Sequence, residues 1–305
     1  MKRKGLVVIS VLVVLLLTAE GVARWGLGLG DPPLSVADPQ IEYLFKPGRY
    51  ERFGNTVYVN RHHMRSPEAD RFPVLMIGDS VLNGGSQTDQ SELASSLLSE
   101  SLGVPVGNVS AGSWGPQNQL AYAERFGLFG AEQVVLMWNS GDTADVPTFE
   151  PIVGVAPAFP GTRPPSALWE GVTRYLPRYL KRQKTPAGPT PNPATPNPSD
   201  VPAPEALAAA DELIRRARDA GADVLIALHL EREESEADHR PGYGVWQKLA
   251  ADRGVPVVTL DLPPSAYRDK IHPNAEGQRL IYEQLRPVIR AALGASPARQ
   301  DADGE

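Results

Sequence analysis

Short apolar runs alternate with amphipathic stretches along most of the chain after residue 72. The apolar runs predict strands at 73–78, 104–110, 133–138, 223–230 and 255–260. The amphipathic stretches predict helices at 90–100, 116–130, 203–221, 243–254 and 273–293. Because consecutive parallel strands need a crossover that is usually helical, this alternation predicts an α/β fold with a parallel sheet of about five strands, covered by helices on both faces.

Residues 1–30 have a different pattern, an almost unbroken apolar run behind a basic cluster. The basic residues stand at 2–4, the apolar run covers 6–17, and Glu20 interrupts it. A cleaved signal peptide has an apolar region of about 7–15 residues, whereas a membrane-spanning helix needs about 17–25. The small residues at 21–23 match a cleavage site only loosely. We predict an uncleaved signal anchor, with a cleaved signal peptide and a secreted protein as the alternative, and both place the following chain outside the cytoplasm.

Three further segments depart from the alternating pattern. Residues 31–72 form a lead-in interrupted by prolines, with one strand predicted at 55–60. Residues 184–205 are rich in proline and have almost no large apolar side chains, so they cannot bury enough surface to offset their ordering entropy. We interpret them as an extended or disordered insertion within a single domain at 73–294. Residues 295–305 are a polar tail.

Composition excludes several classes of function. The net charge is −6, which predicts no basic face and therefore no nucleic-acid partner. The chain has no cysteine, which excludes disulfides, thiolate metal sites and a cysteine nucleophile. His62 and His63 are adjacent, so in an extended segment their side chains point in opposite directions and do not form a metal-binding pair. We expect no metal and no cofactor.

A serine follows the first strand of the predicted sheet. In open parallel sheets, ligands bind beyond the carboxyl ends of the strands, so residues just after strands are the first candidates for chemistry. Gly78-Asp79-Ser80 occupies that place, and Gly78 lets the backbone turn sharply. The Ser80 hydroxyl is therefore a candidate nucleophile. The tripeptide is weakly specific, and the alternative is a strand-to-helix turn with Asp79 or Ser80 as a helix cap.

Other polar or flexible residues follow the remaining strands. Gly112 follows the second strand and Asn139 the third, while Asp269 and His272 follow the fifth. A turn glycine, a capping asparagine and a surface histidine at a helix start are the ordinary interpretations of these residues. Pro273 fits the first turn of the last helix and would fix His272 at the helix entrance.

Together these residue types supply the parts of a serine nucleophile system. A serine hydroxyl is a weak nucleophile until an imidazole takes its proton, and that imidazole needs a carboxylate to fix its tautomer. Hydrogen-bond donors must meet the negative oxygen that develops on the attacked carbonyl group. The backbone N–H of Gly112 and the side-chain amide of Asn139 are candidates for that oxyanion hole.

This ordered set resembles the SGNH hydrolases, also called GDSL-type esterases and lipases. The most specific block is "DKIHPNAEG" at 269–277, which is similar to the family pattern D-x-I-H-P-N-x-x-G. The resemblance covers about residues 70–293, and the lead-in behind an anchor is similar to membrane-tethered bacterial members. It implies a flavodoxin-like α/β/α sandwich and metal-free ester hydrolysis or acyl transfer. It further implies Ser80 as nucleophile, His272 as general base, Asp269 as its orienting carboxylate, and the N–H groups of Ser80 and Gly112 as oxyanion donors.

One block departs from the family pattern. The family has Asn directly followed by Asp, whereas this chain reads Asn139-Ser140-Gly141-Asp142. Either Asn139 reaches the site from two residues earlier, or Gly141 occupies the usual position and the side-chain donor is missing. Asp142 is an alternative partner for His272, although the fixed spacing favours Asp269. Loss of one oxyanion donor lowers the rate by ~10²–10³-fold, so a weakened enzyme or a binding protein is an alternative.

Trp114 and His229 stand near the predicted strand ends and are candidate substrate contacts, with core packing as the alternative. The sequence thus predicts an exported, membrane-anchored serine ester hydrolase that forms an acyl-enzyme. We expect its substrates to be O-acyl or O-acetyl esters, with cell-surface glycans suggested by the location. An O-acyltransferase, or a non-catalytic binding or assembly protein of the cell envelope, is the alternative. The expected partners are the ester substrate and the membrane, with the catalytic domain periplasmic or at the cell surface.

Overall fold

A computed structural model describes residues 2–177 and 201–295 of the chain. The strands are β1 (Ser35–Asp38), β2 (Glu42–Phe45), β3 (Gly48–Arg52), β4 (Asn55–Val59), β5 (Val74–Gly78), β6 (Val106–Ser110), β7 (Gln133–Asn139), β8 (Asp223–His229) and β9 (Val257–Leu260). The helices are α1 (Lys2–Gly21), α2 (Ser80–Asn83), α3 (Ala94–Leu102), α4 (Pro116–Phe126), α5 (Ala167–Glu170), α6 (Pro204–Asp219), α7 (Pro241–Arg253) and α8 (Ala275–Ala295).

Five strands form the central sheet, in the spatial order β6-β5-β7-β8-β9. All four strand pairs are parallel, and Met76 of β5 stands between Asn108 of β6 and Val135 of β7. Written in the order in which the strands occur along the chain, this is 2-1-3-4-5, the flavodoxin-like doubly wound order. The predicted fold class and the expected number of strands are therefore confirmed.

Alternate residues of the sheet belong to two separate hydrophobic cores. Leu75 and Ile77 of β5 face the core that includes side chains of α4, α6 and α7. Val74 and Met76, one position out of phase, face the core that includes side chains of α3 and α8. Because side chains alternate across a strand, a sheet apolar on both faces must be covered on both. The result is the predicted three-layer α/β/α sandwich.

The lead-in is folded against the same domain. It forms two antiparallel hairpins, β1-β2 and β3-β4, and the strand predicted at 55–60 is β4. Ile41, Tyr43, Met64 and Phe72 are all fully buried and belong to the core beneath α4. The segment between the N-terminal helix and the sheet therefore contributes directly to the packing of one sheet face.

Two helix starts differ from those predicted. The pattern at 90–100 is divided into a 3-10 turn at Gln90–Glu92, capped by Asp89, and α3. The last helix begins at Ala275, so Pro273 lies outside it and pairs with Tyr267 in an isolated bridge. The Asn274 side chain accepts the N–H of Gly277 at 3.0 Å, which caps the helix one residue after the proline.

The N-terminal segment contains a helical span, Arg3–Gly26, of 24 residues that is long and apolar enough to cross a membrane. Its apolar side chains are exposed. Most of the Pro-rich insertion predicted at 184–205, namely residues 184–200, lies outside the described residues, as does the polar tail after residue 295.

Candidate active site

Ser80 is the first residue of α2, directly beyond the carboxyl end of β5. The Asp79 carboxylate accepts the N–H of Val81 at 2.8 Å and caps this short helix. A Cβ at Gly78 would stand 3.0 Å from the carbonyl oxygen of Met137, so glycine is needed there for the close approach of β7. The cap interpretation therefore applies to Asp79, and it leaves the Ser80 hydroxyl available for chemistry.

His272 contacts both Ser80 and Asp269. Its Nε2 lies 2.9 Å from the Ser80 Oγ, across 192 residues of sequence. Its Nδ1 lies 2.9 Å and 3.0 Å from the two carboxylate oxygens of Asp269. With Nδ1–H donating to the carboxylate, Nε2 is left to accept the serine O–H, which is the arrangement of a Ser-His-Asp triad.

Asp269 is held in place by the turn that it begins. One of its oxygens accepts the N–H groups of Ile271 at 3.0 Å and His272 at 2.8 Å. Burial by itself would raise the pKa of Asp269, but these hydrogen bonds and the charge of His272 outweigh it and lower that pKa. The spacing of three residues thus places the Asp269 carboxylate beside the His272 imidazole, and the hydrogen bonds keep the carboxylate ionised.

His229, predicted as a substrate contact, instead supports the loop that carries His272. It is 1% exposed, and its Nε2–H donates to the carbonyl oxygen of Ile271 at 2.8 Å. Burial lowers its pKa to about 4, so the ring is neutral near pH 7. His229 is the last residue of β8, at the carboxyl end of the strand, and its side chain points into the protein.

Trp114, the other predicted substrate contact, is also buried, with 2% exposure. It packs with ring centroids 6.4 Å from Tyr43 and 5.9 Å from Tyr122. The turn beside it is fixed by the Tyr43 hydroxyl, which donates to the carbonyl oxygen of Gly112 at 2.7 Å. Trp114 is therefore a core residue that supports the Gly112 turn, and the oxyanion role of Gly112 stays a prediction.

Asn139 reaches the neighbourhood of Ser80 but is occupied by carboxylates. Its Nδ2 lies 3.1 Å from Asp79 and 3.0 Å from Asp142, while its Oδ1 accepts the N–H of Gly141 at 2.7 Å. Two acceptors take up the two amide hydrogens. In this arrangement the side chain positions the residue before Ser80 rather than presenting a free N–H to an oxyanion, and Asp142 is not the partner of His272.

A cluster of three carboxyl groups behind the nucleophile, formed by Asp79, Asp142 and Asp145, was not predicted from the sequence. Burial, together with the charges of the other two, raises the pKa of Asp142 well above its usual range. Burial and the charge of Asp79 likewise raise the pKa of Asp145 to about 7. The carboxylates are scattered in "GDS" and "SGDTAD", and no spacing rule joins them.

A buried arginine from the lead-in holds the loop after Ser80, and this too was missed. The Arg65 guanidinium, in a residue 2% exposed, donates to the carbonyl oxygens of Asn83 at 2.5 Å, Gly85 at 2.6 Å and Thr88 at 2.6 Å. Its Nε donates to the Gln90 side chain at 3.1 Å. Arg65 therefore fixes the conformation of residues 83–88, directly after α2.

Within residues 2–177 and 201–295, no group of three or more His, Asp or Glu side chains is arranged to hold a metal ion. The chemistry available at the site is that of Ser80, His272 and the neighbouring backbone.

Comparison with known proteins gives similarities of fold. No family model and no curated protein matches the chain. Similar solved structures include TesA, at 17% identity and a TM-score of 0.46, over 72% of this chain and 98% of that one. They also include the acetylxylan esterase Axe2 of Geobacillus stearothermophilus, at 15% identity and 0.44, over 71% and 93%. A GDSL-like lipase of Bacteroides thetaiotaomicron matches at 13% and 0.41, over 72% and 88%. Because these identities and TM-scores are low, the assignment of function rests on the geometry of the site itself.

Proposed function

We propose that this chain is a serine ester hydrolase of the SGNH type, which works through an acyl-enzyme on the Ser80 hydroxyl. The observation that carries the proposal is the chain of contacts from Ser80 Oγ to His272 Nε2 at 2.9 Å and from His272 Nδ1 to Asp269 at 2.9 Å. These residues come from the two ends of the domain, and only the fold brings them together. A surface histidine at a helix start has no reason to meet both partners.

In the acylation step, Ser80 Oγ attacks the ester carbonyl carbon while His272 Nε2 takes its proton. The carbonyl oxygen becomes negative, and the N–H groups of Ser80 and Gly112 are the proposed donors to it. The ester C–O bond then breaks, and His272 returns the proton to the leaving alcohol. Asp269 stabilises the imidazolium and keeps Nδ1 protonated throughout.

In the second step, a water molecule attacks the acyl-enzyme carbonyl carbon and gives a proton to His272. The Ser80–acyl bond breaks, the carboxylic acid leaves, and Ser80 recovers its proton from His272. An acceptor hydroxyl in place of water would make the same site an acyltransferase, and the balance of atoms and protons is otherwise the same.

We further propose that the substrates are O-acyl or O-acetyl esters of cell-surface glycans, reached by a domain that lies outside the cytoplasm. Support comes from the N-terminal span, which would keep the domain near the envelope. The acetylxylan esterase named above acts on an ester of this kind. Acetylated polysaccharides and short-chain nitrophenyl esters are therefore the first substrates to compare.

We also propose that the N-terminal helix is an uncleaved anchor. The Glu20 carboxylate accepts the N–H groups of Ala167 at 3.0 Å and Leu168 at 2.8 Å, and Ala23 packs against Ala167. Cleavage after residue 23 would remove Glu20 from this contact. The interruption of the apolar run by a carboxylate thus has a structural use that a discarded signal peptide would not need.

A second candidate is a binding or assembly protein with the fold but little chemistry. It is favoured by one observation, that the amide of Asn139 is hydrogen-bonded to Asp79 and Asp142. If the oxyanion hole lacks that amide, kcat should be lower by ~10²–10³-fold.

The test is hydrolysis of p-nitrophenyl acetate by the full chain in detergent micelles, compared with Ser80→Ala, His272→Ala and Asp269→Asn. We expect each variant to lose ~10⁴-fold or more in kcat, because the three groups act as a unit. Ser86→Ala, in the loop at residues 83–88 that follows Ser80 and α2, is the matched control and should keep full activity. A fluorophosphonate probe should label the wild-type protein and not Ser80→Ala. An unlabelled and inactive wild-type protein would leave the binding candidate instead.

A further inference from the structure

The segment that begins with α5 exposes an apolar face to the outside. After α5 the helix continues through a π-helical turn at Gly171–Tyr175. Trp169, Val172 and Leu176, at positions i, i+3 and i+7, lie on one side and are 57%, 49% and 46% exposed. In a helix on the surface of a water-soluble domain, large apolar side chains normally face the core, so three of them on the outer side of this helix are unusual.

Two charged side chains of this helix, Glu170 and Arg174, face the protein. Glu170, 4% exposed, forms a bidentate ion pair with Arg52, at 2.7 Å and 2.6 Å. It also accepts Arg174 at 3.0 Å and the backbone N–H of Gly30 at 2.8 Å. Burial by itself would raise the pKa of Glu170, but the hydrogen bonds and the charges of Arg52 and Arg174 lower it. Rotating the helix to hide its apolar face would break this buried network.

A second group of exposed apolar side chains lies at the end of the N-terminal helix. Val22, Trp25 and Leu27 are 57%, 83% and 58% exposed. Tryptophan is enriched where a membrane-spanning helix leaves the hydrocarbon, because its ring is apolar and its N–H is polar. Trp25 has that place in the sequence, near the end of the predicted span.

The two groups are joined through short and specific contacts. The Glu20 carboxylate binds the first two N–H groups of α5, and Ala23, Leu29 and Ala167 form a small buried cluster. The contacts come from both sides of the junction between anchor and domain. The end of the anchor helix therefore packs directly against the segment with the exposed apolar face.

We propose that these six side chains form one juxtamembrane patch that lies on the surface of the lipid bilayer beside the anchor: Val22, Trp25, Leu27, Trp169, Val172 and Leu176. The proposal rests on the anchor proposed above. Lipid is the occupant because the patch is continuous with an apolar helix whose large side chains are exposed from Leu6 to Leu17, and the same bilayer that covers the helix covers the patch. Two attachment points then fix the orientation of the domain, whereas a flexible tether would leave it free.

The proposal can be tested by tryptophan fluorescence of the full chain in phosphatidylcholine vesicles. Trp114, Trp138 and Trp246 are at most 2% exposed, so Trp25→Phe leaves Trp169 as the exposed reporter, and Trp169→Phe leaves Trp25. The double variant gives the background. Vesicles brominated at carbons 6 and 7 of one acyl chain should quench the Trp169 component at least two-fold, and aqueous iodide should quench it little.

Three other outcomes would overturn the proposal. Quenching of Trp169 by iodide and not by brominated lipid would place the patch in water. Protection from both quenchers would indicate a second copy or a protein partner as the cover. If brominated lipid quenches neither Trp169 nor Trp25, the proposed anchor and the proposed patch are both refuted. Ester hydrolysis, measured on the same vesicles, reports the proposed enzyme activity independently of all three.

Discussion

Replacement of Arg65 by methionine should separate the stability of the fold from the activity of the site. Arg65 makes no hydrogen bond to Ser80, His272 or Asp269 in the described residues, and its guanidinium donates to the carbonyl oxygens of Asn83, Gly85 and Thr88. No carboxylate in the described residues forms an ion pair with it. Methionine fills a similar volume without charge, so the substitution removes the hydrogen bonds and the buried charge together.

Two opposing terms determine the change in stability. Burial lowers the pKa of Arg65 to about 9 from 12.5, so holding the charge costs about 5 kcal/mol of folding free energy. The guanidinium makes four hydrogen bonds, three to these carbonyl oxygens and one to Gln90, which contribute about 1.5–3 kcal/mol each, or about 6–12 kcal/mol together. The net loss on substitution is therefore about 1–7 kcal/mol. The loop after α2, by contrast, loses all three of its anchoring bonds.

We expect Arg65→Met to fold with a lower Tm, while kcat for p-nitrophenyl acetate falls about 10²-fold because Ser80 is less well positioned. Thermal unfolding and ester hydrolysis would be measured on the same preparation. Arg71→Met, an exposed arginine of the lead-in that pairs with Glu132, is the matched control and should change neither. A folded Arg65→Met protein with kcat within two-fold of wild type would refute the positioning argument.

Two further predictions concern pH. The folded-state pKa of Asp145 is raised from 3.8 to about 7, so stability is lost as the pH rises through that range. Asp145→Asn should therefore be more stable than the wild type by up to about 4 kcal/mol at pH 8 and unchanged at pH 3.5, as thermal unfolding at the two pH values would show. His229 has a folded-state pKa of about 4, so the unfolded chain binds a proton first, and stability of about 3 kcal/mol should be lost as pH falls from 6.5 to 4. His229→Gln, which keeps a donor for Ile271, should lack that loss when the free energy of unfolding is measured by urea titration at pH 7 and pH 4.5. An equal change in the free energy of unfolding between the two pH values for variant and wild type would contradict the assignment.

Local patterns predicted the elements of the sheet and the position of each candidate residue at its edge. Strands buried on both faces are recognisable as short apolar runs, and the residue after each run must lie at the carboxyl edge. The spacing of three residues favoured Asp269 as the partner of His272, and in the structure that carboxylate also accepts the backbone N–H of the histidine. These features depend on neighbours in sequence, and for that reason they could be predicted without the fold.

The direction of side chains at that edge could not be predicted in the same way. Trp114 and His229 lie near strand ends, as a substrate contact would, yet both are buried. Trp114 packs against Tyr43, which hydrogen-bonds Gly112, and His229 hydrogen-bonds Ile271. Which way a residue after a strand points depends on the elements that pack above it. Those elements come from distant parts of the chain.

The sequence by itself determined the α/β class, the apolar N-terminal span and the ordered set of chemical groups from Ser80 to His272. Only the tertiary structure decided what surrounds them. Arg65 binds carbonyl groups that follow it by 18–23 residues, and the Asp79–Asn139 contact joins residues 60 apart. The Glu20 contact with α5 spans 147 residues. Such long-range contacts depend on how the layers pack and leave no period or spacing in the sequence.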